Sequence, residues 1–343
     1  MSRHIVTIGT GAQGGISSVI KGYEEDGLFN DYRHTRIISH MGLSKLGDIK
    51  LFFLSCLRLF YLCVKCRGFL LHCHMSYKGS FWRKFTFVII AKTFKKNTLI
   101  HLHGSEFKVY FSSRNGLTKK LLVWLINNVD EFVVLSDGWK SYIKEISGRE
   151  VHSINNYVDV NPTTDERIKG DILFLGAFIK RKGIYDLLEA CAGLSSSYHL
   201  HLCGAGENRK VNKLVNELGI SKNVTFHGWV DNKQKMKLLC SSSVMVLPSY
   251  NEGLPMTLVE SMGCNIPVII TPVGAISEVI VEGYTGYLVQ PGNVKQIASK
   301  LDYVLSEHGA SATITNNARN LYENKFTSEV IFPKWLEIYK IYA

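Results

Sequence analysis

Glu252-Gly-Leu-Pro-Met-Thr-Leu-Val-Glu260 joins a seat for anions to two groups that repel them. The apolar run Val244–Leu247 before it reads as a strand. The chain then turns through Pro-Ser-Tyr-Asn-Glu-Gly and enters a helix with Pro255 in its first turn, where a missing N–H costs nothing. A strand feeding a glycine loop into a helix aims free backbone N–H groups and the positive helix end at one spot, which suits phosphate. Glu252 precedes the helix, and Glu260 lies about 12 Å further on at 1.5 Å rise per residue. Two acceptor-only carboxylates flanking that seat suit hydroxyls, a sugar at one end and a ribose at the other. That is the outline of a nucleotide-sugar. Two glutamates eight apart on a helix are commonly surface charges; the strand before and Met262-Gly-Cys-Asn-Ile-Pro-Val-Ile-Ile-Thr271 after make the string far more specific.

Other clusters invite different chemistry. Gly9-Thr-Gly-Ala-Gln-Gly-Gly15 holds a Gly-x-Gly-x-x-Gly between a strand and a helix, the pattern of a dinucleotide site. Such a site needs an acid at the end of the second strand to hold ribose. That strand ends Ile37-Ile-Ser-His-Met41, without one, which disfavours a nicotinamide oxidoreductase. His72 and His74 alternate along one strand, and His101 and His103 along the next, so each pair faces one side. Four histidines suggest metal, but no carboxylate or thiol completes the set, and strand histidines are commonly satisfied core or rim residues. Cys63-x-x-Cys66, with Cys73 nearby, lacks the second pair of a tetrahedral site and reads as packing thiols. No metal and no cofactor is expected.

The elements that must hold these residues alternate strand and helix throughout. Strands are expected at 4–9, 34–40, 69–75, 98–103 and 131–136, then at 171–176, 199–204, 224–229, 244–248 and 267–271. Short apolar strands each followed by a helix make an α/β protein with buried parallel sheets. Two sets joined near Asn161–Asp165 imply two doubly wound, Rossmann-like domains, 1–162 and 163–327. An amphipathic helix at 328–343 follows, its Ile331, Trp335, Ile338 and Ile341 at helical spacing. The 343 residues suffice for two cores, and 46% apolar content argues against disorder. Scattered cysteines and a first strand starting at His4 imply a reducing compartment and no signal peptide.

Charge is uneven. Residues 1–160 hold 22 Lys/Arg against 12 Asp/Glu, whereas 161–343 hold 18 against 17. Between Asp48 and Glu106 stand ten basic residues, Lys84 and Lys96 among them, and no acid. Most sit in or beside Leu51–Val64 and Phe81–Ile90, helix-like stretches rich in Phe, Trp and Leu. The first is too short and too interrupted by Arg58 to span a bilayer. Basic residues beside aromatics suit an anionic membrane surface, and a buried helix with solvated lysines fits the same pattern. No helix-turn-helix, RNP or zinc-finger pattern supports nucleic acid.

The Glu-x7-Glu string with Gly-Leu-Pro resembles the signature of the retaining family 4 glycosyltransferases, in the GT-B fold, whose two Rossmann-like domains face each other across a cleft. Phe174-Leu-Gly-Ala-Phe-Ile-Lys-Arg-Lys-Gly183 resembles the family's basic segment that neutralises the departing diphosphate; Lys182 matches, but the usual arginine is Ala177, with Arg181 a candidate substitute. His101-Leu-His-Gly resembles the active-site histidine beside the donor sugar, a role carried to His103, with His74 a weaker candidate on the acceptor side. Gly14 and Gly15 would let the chain approach the donor diphosphate. Gly228, in Phe226-His-Gly-Trp-Val230, matches the loop that reads the base. Glu252 would hold the sugar near its 3- and 4-hydroxyls, Glu260 the ribose, and the N–H groups of Gly253 and Leu254 the diphosphate. The resemblance implies a UDP- or GDP-sugar donor and metal-independent retaining transfer to a glycan or polyprenyl-diphosphate-linked acceptor in surface-polysaccharide (lipopolysaccharide or capsule) biosynthesis. The expected place is cytoplasmic, peripheral at the inner face of the plasma membrane. Its rivals are a catalytically impaired nucleotide-sugar-binding partner, which Ala177 would explain, and a GT-B nucleotide-sugar epimerase.

Overall fold

A computed structural model describes residues 3–12, 14–162, 167–306 and 312–343. The chain divides into two compact units, Met1–Tyr157 with Ser328–Ala343, and Val158–Thr327. Part of the expected junction at 161–165 lies outside the described residues. Residues 158–160 side with the second unit: Val158 N–H donates to Phe326 O, Val160 N–H to Tyr322 Oη, and Val160 joins that unit's core.

The first unit is a six-stranded parallel sheet of β1 (His4–Gly9), β2 (Arg33–Ile38), β3 (Leu70–Met75), β4 (Asn97–Leu102), β5 (Glu131–Val134) and β6 (His152–Ser153). The order is β2-β1-β3-β4-β5-β6. Its helices are α1 (Gly15–Glu25), α2 (Lys45–Lys65), α3 (Gly79–Thr93), α4 (Phe107–Ser112), α5 (Gly116–Asn128) and α6 (Asp137–Ser147). The second unit holds β7 (Ile168–Leu175), β8 (His199–Cys203), β9 (Val224–Gly228), β10 (Ser242–Leu247), β11 (Val268–Ile270) and β12 (Tyr287–Leu288), in the order β12-β11-β10-β7-β8-β9, also parallel. Its helices are α7 (Ile184–Ala192), α8 (Asn208–Glu217), α9 (Asn232–Ser241), α10 (Met256–Gly263), α11 (Val294–Leu305) and α12 (Ala312–Lys325); α13 (Ser328–Tyr342) belongs to the first unit. Both units are doubly wound and Rossmann-like, as the strand–helix alternation predicted. The edge strands β6 and β12 were not anticipated, since two residues carry no period.

Strands β1, β3 and β5 are buried along their whole length, so that even their polar members His4, Thr7, His72, His74 and Glu131 lie inside. Ser44, Asn115, Ser136, Asp231 and Asn293 cap helices by accepting from the N–H three residues on, in place of a missing intrahelical acceptor. In α13 the inward stripe is Ile331, Trp335, Ile338 and Tyr339, whereas Ile341 is 71% exposed. At 3.6 residues per turn Ile341 lies about 120° round the axis from Trp335, so the expected inward Ile341 gives way to Tyr339. Trp335 Nε1–H donates to Tyr23 Oη at 2.9 Å, tying α13 to α1.

In each sheet the winding reverses once, between β1 and β3 and between β7 and β10. Loops leaving the carboxyl ends of strands at such a reversal diverge, leaving a crevice between them.

Candidate functional site

At the reversal of the second sheet, the loop after β7 carries Lys182 and the loop after β10 carries Glu252. Lys182 Nζ donates to Glu252 Oε1 at 2.6 Å, and Ser249 Oγ–H donates to the same oxygen at 2.7 Å. Arg181 sits beside them, Nη1 being 3.9 Å from Glu252 Oε2, but its hydrogen bond goes to Asn251 O at 2.7 Å. Tyr250 N–H returns to Arg181 O at 2.8 Å. Arg181 thus braces the Glu252 loop from outside. The structure brings Glu252, Lys182 and Arg181 together. Ala177 is exposed just beyond β7.

Two glycines set this geometry. Gly183 has φ +70, and a Cβ there would lie 2.1 Å from Pro248 O, so the two loops approach to backbone contact. Gly274 has φ +63, and a Cβ there would lie 2.1 Å from Glu252 O and 2.6 Å from Gly253 O. Ala275 N–H donates to Gly253 O at 2.9 Å. Both carbonyls therefore face the 271–275 loop. Because a trans peptide points its N–H opposite its C=O, the N–H groups of Gly253 and Leu254 face away from it. Neither donates a hydrogen bond among the described residues. They precede α10, whose first turn adds its positive end. Pro255 is the residue before that helix, extended at φ −68 and ψ 132, and not in its first turn as expected. The helical rise toward Glu260 accordingly spans four residues, about 6 Å instead of 12 Å.

Glu260, buried in α10, takes a bond from Lys235 Nζ of α9 at 2.5 Å, while its Oε2 is buried without a partner. One acceptor is held and one is open. Gly228 closes β9 with φ +66; its O accepts from Gly204 N–H at 2.7 Å, and the space its Cβ would fill is empty. Lys235 and the partner of Ser249 escaped the sequence reading. Lys235 lies in Asn232-Lys-Gln-Lys-Met-Lys, which looks like a solvated face, and Ser249 lies in the quoted turn with nothing to mark its partner.

In the first unit, Gly14 caps α1 with φ +149, and open space surrounds the Cβ positions of Gly14 and Gly15. Gln13, between the glycines of that loop, is outside the described residues. His103 follows β4, and its Nε2 is 2.9 Å from Nδ1 of His74 on β3. Burial, and secondarily Lys84, pushes His103 down to about 3, so the imidazole is neutral. Lys84 itself corrects an expectation. It is not solvated but 2% exposed, held by Ser39 Oγ at 3.1 Å, and desolvation lowers it to about 8. Lys96 is also inside, donating to Cys66 O and Arg67 O. All eight cysteines are free.

The second unit's site and the chain's known relatives point the same way. Residues 164–321 match the family described as Glycosyl transferases group 1. An uncharacterized glycosyltransferase of Methanocaldococcus jannaschii, MJ1607, is 30% identical over 249 residues, which cover 70% of this chain and 63% of that protein. The lipopolysaccharide core biosynthesis glycosyltransferase LpsE of Rhizobium meliloti is 27% identical over 210 residues, 59% of this chain and 58% of its own. The chain thus spans somewhat under two thirds of these relatives' length. Two solved structures share the fold at low identity. Sucrose-phosphate synthase of Thermosynechococcus elongatus has TM-score 0.82 at 19% identity, covering 99% of this chain and 98% of that one. HepE of Anabaena, in complex with UDP-glucose, has TM-score 0.76 at 16%, covering 98% and 99%. The chain has the GT-B pair of Rossmann-like folds, and its residues 164–321 are similar to the Glycosyl transferases group 1 family.

Proposed function

We propose that the protein is a retaining, family 4-type glycosyltransferase that moves a sugar from a UDP- or GDP-sugar to a glycan or polyprenyl-diphosphate-linked acceptor in surface-polysaccharide assembly. The observation that carries this is the Lys182–Glu252 pair at the reversal of the second sheet, beside the undonated N–H groups of Gly253 and Leu254. With donor bound, Lys182 and those N–H groups neutralise the diphosphate, and Glu252 turns to the sugar hydroxyls. Glu260 offers its open oxygen to ribose, and neutral His103 lines the sugar face. The bond from the anomeric carbon to the phosphate oxygen breaks while the acceptor oxygen bonds to that carbon from the same face. The acceptor's proton passes to the leaving phosphate. The cation and the helix end oppose the charge that develops on the diphosphate, so no divalent metal is needed there. HepE is solved with UDP-glucose and LpsE is named for lipopolysaccharide core biosynthesis, which favours this donor and acceptor class.

Ala177 favours a second reading, a partner that binds nucleotide-sugar without turnover, because Arg181 is committed to the Asn251 carbonyl. Thermal stabilisation by UDP, GDP, ADP, CMP and NAD in the presence of EDTA tests both. A shift with UDP or GDP alone supports the nucleotide-sugar site. A shift with NAD alone overturns it. Turnover assays with matching sugars then separate enzyme from partner.

The face of α2 bears on the acceptor's place. Phe53, Leu57, Phe60, Tyr61 and Val64 are each more than half exposed, among exposed Lys50, Arg58 and Lys65. An apolar, cationic helix face of this kind suits the interface of an anionic membrane, here the cytoplasmic face of the plasma membrane. No helix among the described residues is long and apolar enough to cross one.

A further inference from the structure

The strand histidines of the first unit are not satisfied in the way core histidines are. His72 Nδ1 meets Tyr339 Oη of α13 at 2.9 Å, and His74 Nδ1 meets His103 Nε2 at 2.9 Å. Their Nε2 atoms, and both ring nitrogens of His101, are buried with no hydrogen-bond partner. A buried nitrogen without a partner loses its bond to water and gains nothing in return, and four of them in one cluster of rings need a common explanation. The rings lie close together, with centroids 4.3 Å apart for the stacked His72–His74 pair and 5.3 Å for the tilted His74–His101 pair, and the Trp335 indole is 4.9 Å from His72. The ligand atoms of His72, His74 and His101 lie within 4.8 Å of one another.

We propose that His72 Nε2, His74 Nε2 and one ring nitrogen of His101 bind a Zn2+ ion inside the first unit. The tautomers agree: when Nδ1–H of His72 donates to Tyr339 and Nδ1–H of His74 donates to His103, both buried Nε2 lone pairs are left free. That is how outer hydrogen bonds orient metal-ligating histidines. Nitrogen donors alone, without a carboxylate, suit Zn2+ and not Mg2+ or Ca2+. Zn–N bonds near 2.1 Å put tetrahedral ligands about 3.4 Å apart, so the widest pair must close by roughly 1.4 Å. The site lies wholly in the first unit and does not rest on the glycosyl-transfer reading; the metal independence proposed above concerns the donor diphosphate in the second.

The test is the metal content of the untagged, full-length protein purified with Zn2+ and dialysed, read by elemental mass spectrometry. Near-stoichiometric zinc is expected, falling at least tenfold in His101→Ala. Replacing zinc by Co2+ should give the visible absorption of a tetrahedral nitrogen site, and zinc-stripped protein should melt at a lower temperature that Zn2+ restores. Folded wild-type protein with only trace zinc and no Co2+ band would overturn the site and leave the nitrogens to buried water. Full zinc in folded His101→Ala would overturn the ligand assignment. If that variant fails to fold, the wild-type zinc content and Co2+ spectrum still decide.

Discussion

Glu252 receives three polar neighbours, Lys182, Ser249 and Arg181, while Glu260 receives one and keeps an oxygen open. That difference suits a residue that acts in the reaction and a residue that only binds. Glu252→Gln should lower kcat about 10²-fold or more, because the contact matters most in the transition state, with nucleoside-diphosphate affinity changed less than about threefold. Steady-state kinetics beside calorimetric titration with the nucleotide check this; equal losses in both would assign Glu252 to the ground state. Glu260→Gln should do the opposite, weakening nucleotide binding by about 1–2 kcal/mol while kcat stays within a few-fold. At Ala177 the side chain is exposed, so arginine fits without strain. Ala177→Arg should raise kcat if a missing cation limits the leaving group; an unchanged kcat would show that Lys182 and the N–H groups suffice. The glutamates were legible because their spacing is local, and Lys182 because a glycine follows it. Lys235 and Ser249 were not, since each meets its glutamate only once separate segments are folded together.

At the scale of elements, two glycines with nearly the same dihedral separate a turn from a close approach. Gly148, φ +73 after α6, has nothing within 4 Å of its Cβ position, whereas Gly183, φ +70 before α7, has Pro248 O at 2.1 Å. Gly148→Ala should cost only the left-handed penalty, about 1–2 kcal/mol. Gly183→Ala adds displacement of the β10 loop and should cost clearly more, with reduced nucleotide binding. Urea denaturation of the two variants compares them, and equal costs would refute the backbone contact. Strand positions were readable from apolar runs. Helix ends were less so: α2 begins six residues before the apolar run, at the Ser44 cap, because a cap depends on one side chain and not on a period.

Across the whole molecule, the basic excess and the bare apolar face fall on the same unit. Leu57→Glu with Phe60→Glu should cut binding to anionic vesicles at least tenfold in co-sedimentation, with binding of the parent protein weakening as salt rises. Both side chains are more than half exposed, so the melting temperature should hold. Undiminished vesicle binding would remove α2 from the membrane reading. The sequence by itself determined the two α/β units and the order of their strands along the chain, and it singled out the Glu252–Glu260 string, because each rests on local periods and on backbone geometry within about ten residues. The tertiary structure decided the rest. Burial turned Lys84 and Lys96 from solvated charges into internal ones, packing brought Tyr339 and His103 against the strand histidines, and the approach of Gly274 turned two N–H groups outward. Each depends on neighbours from distant parts of the chain, and dielectric, hydrogen-bond partners and steric contact exist only once those neighbours arrive.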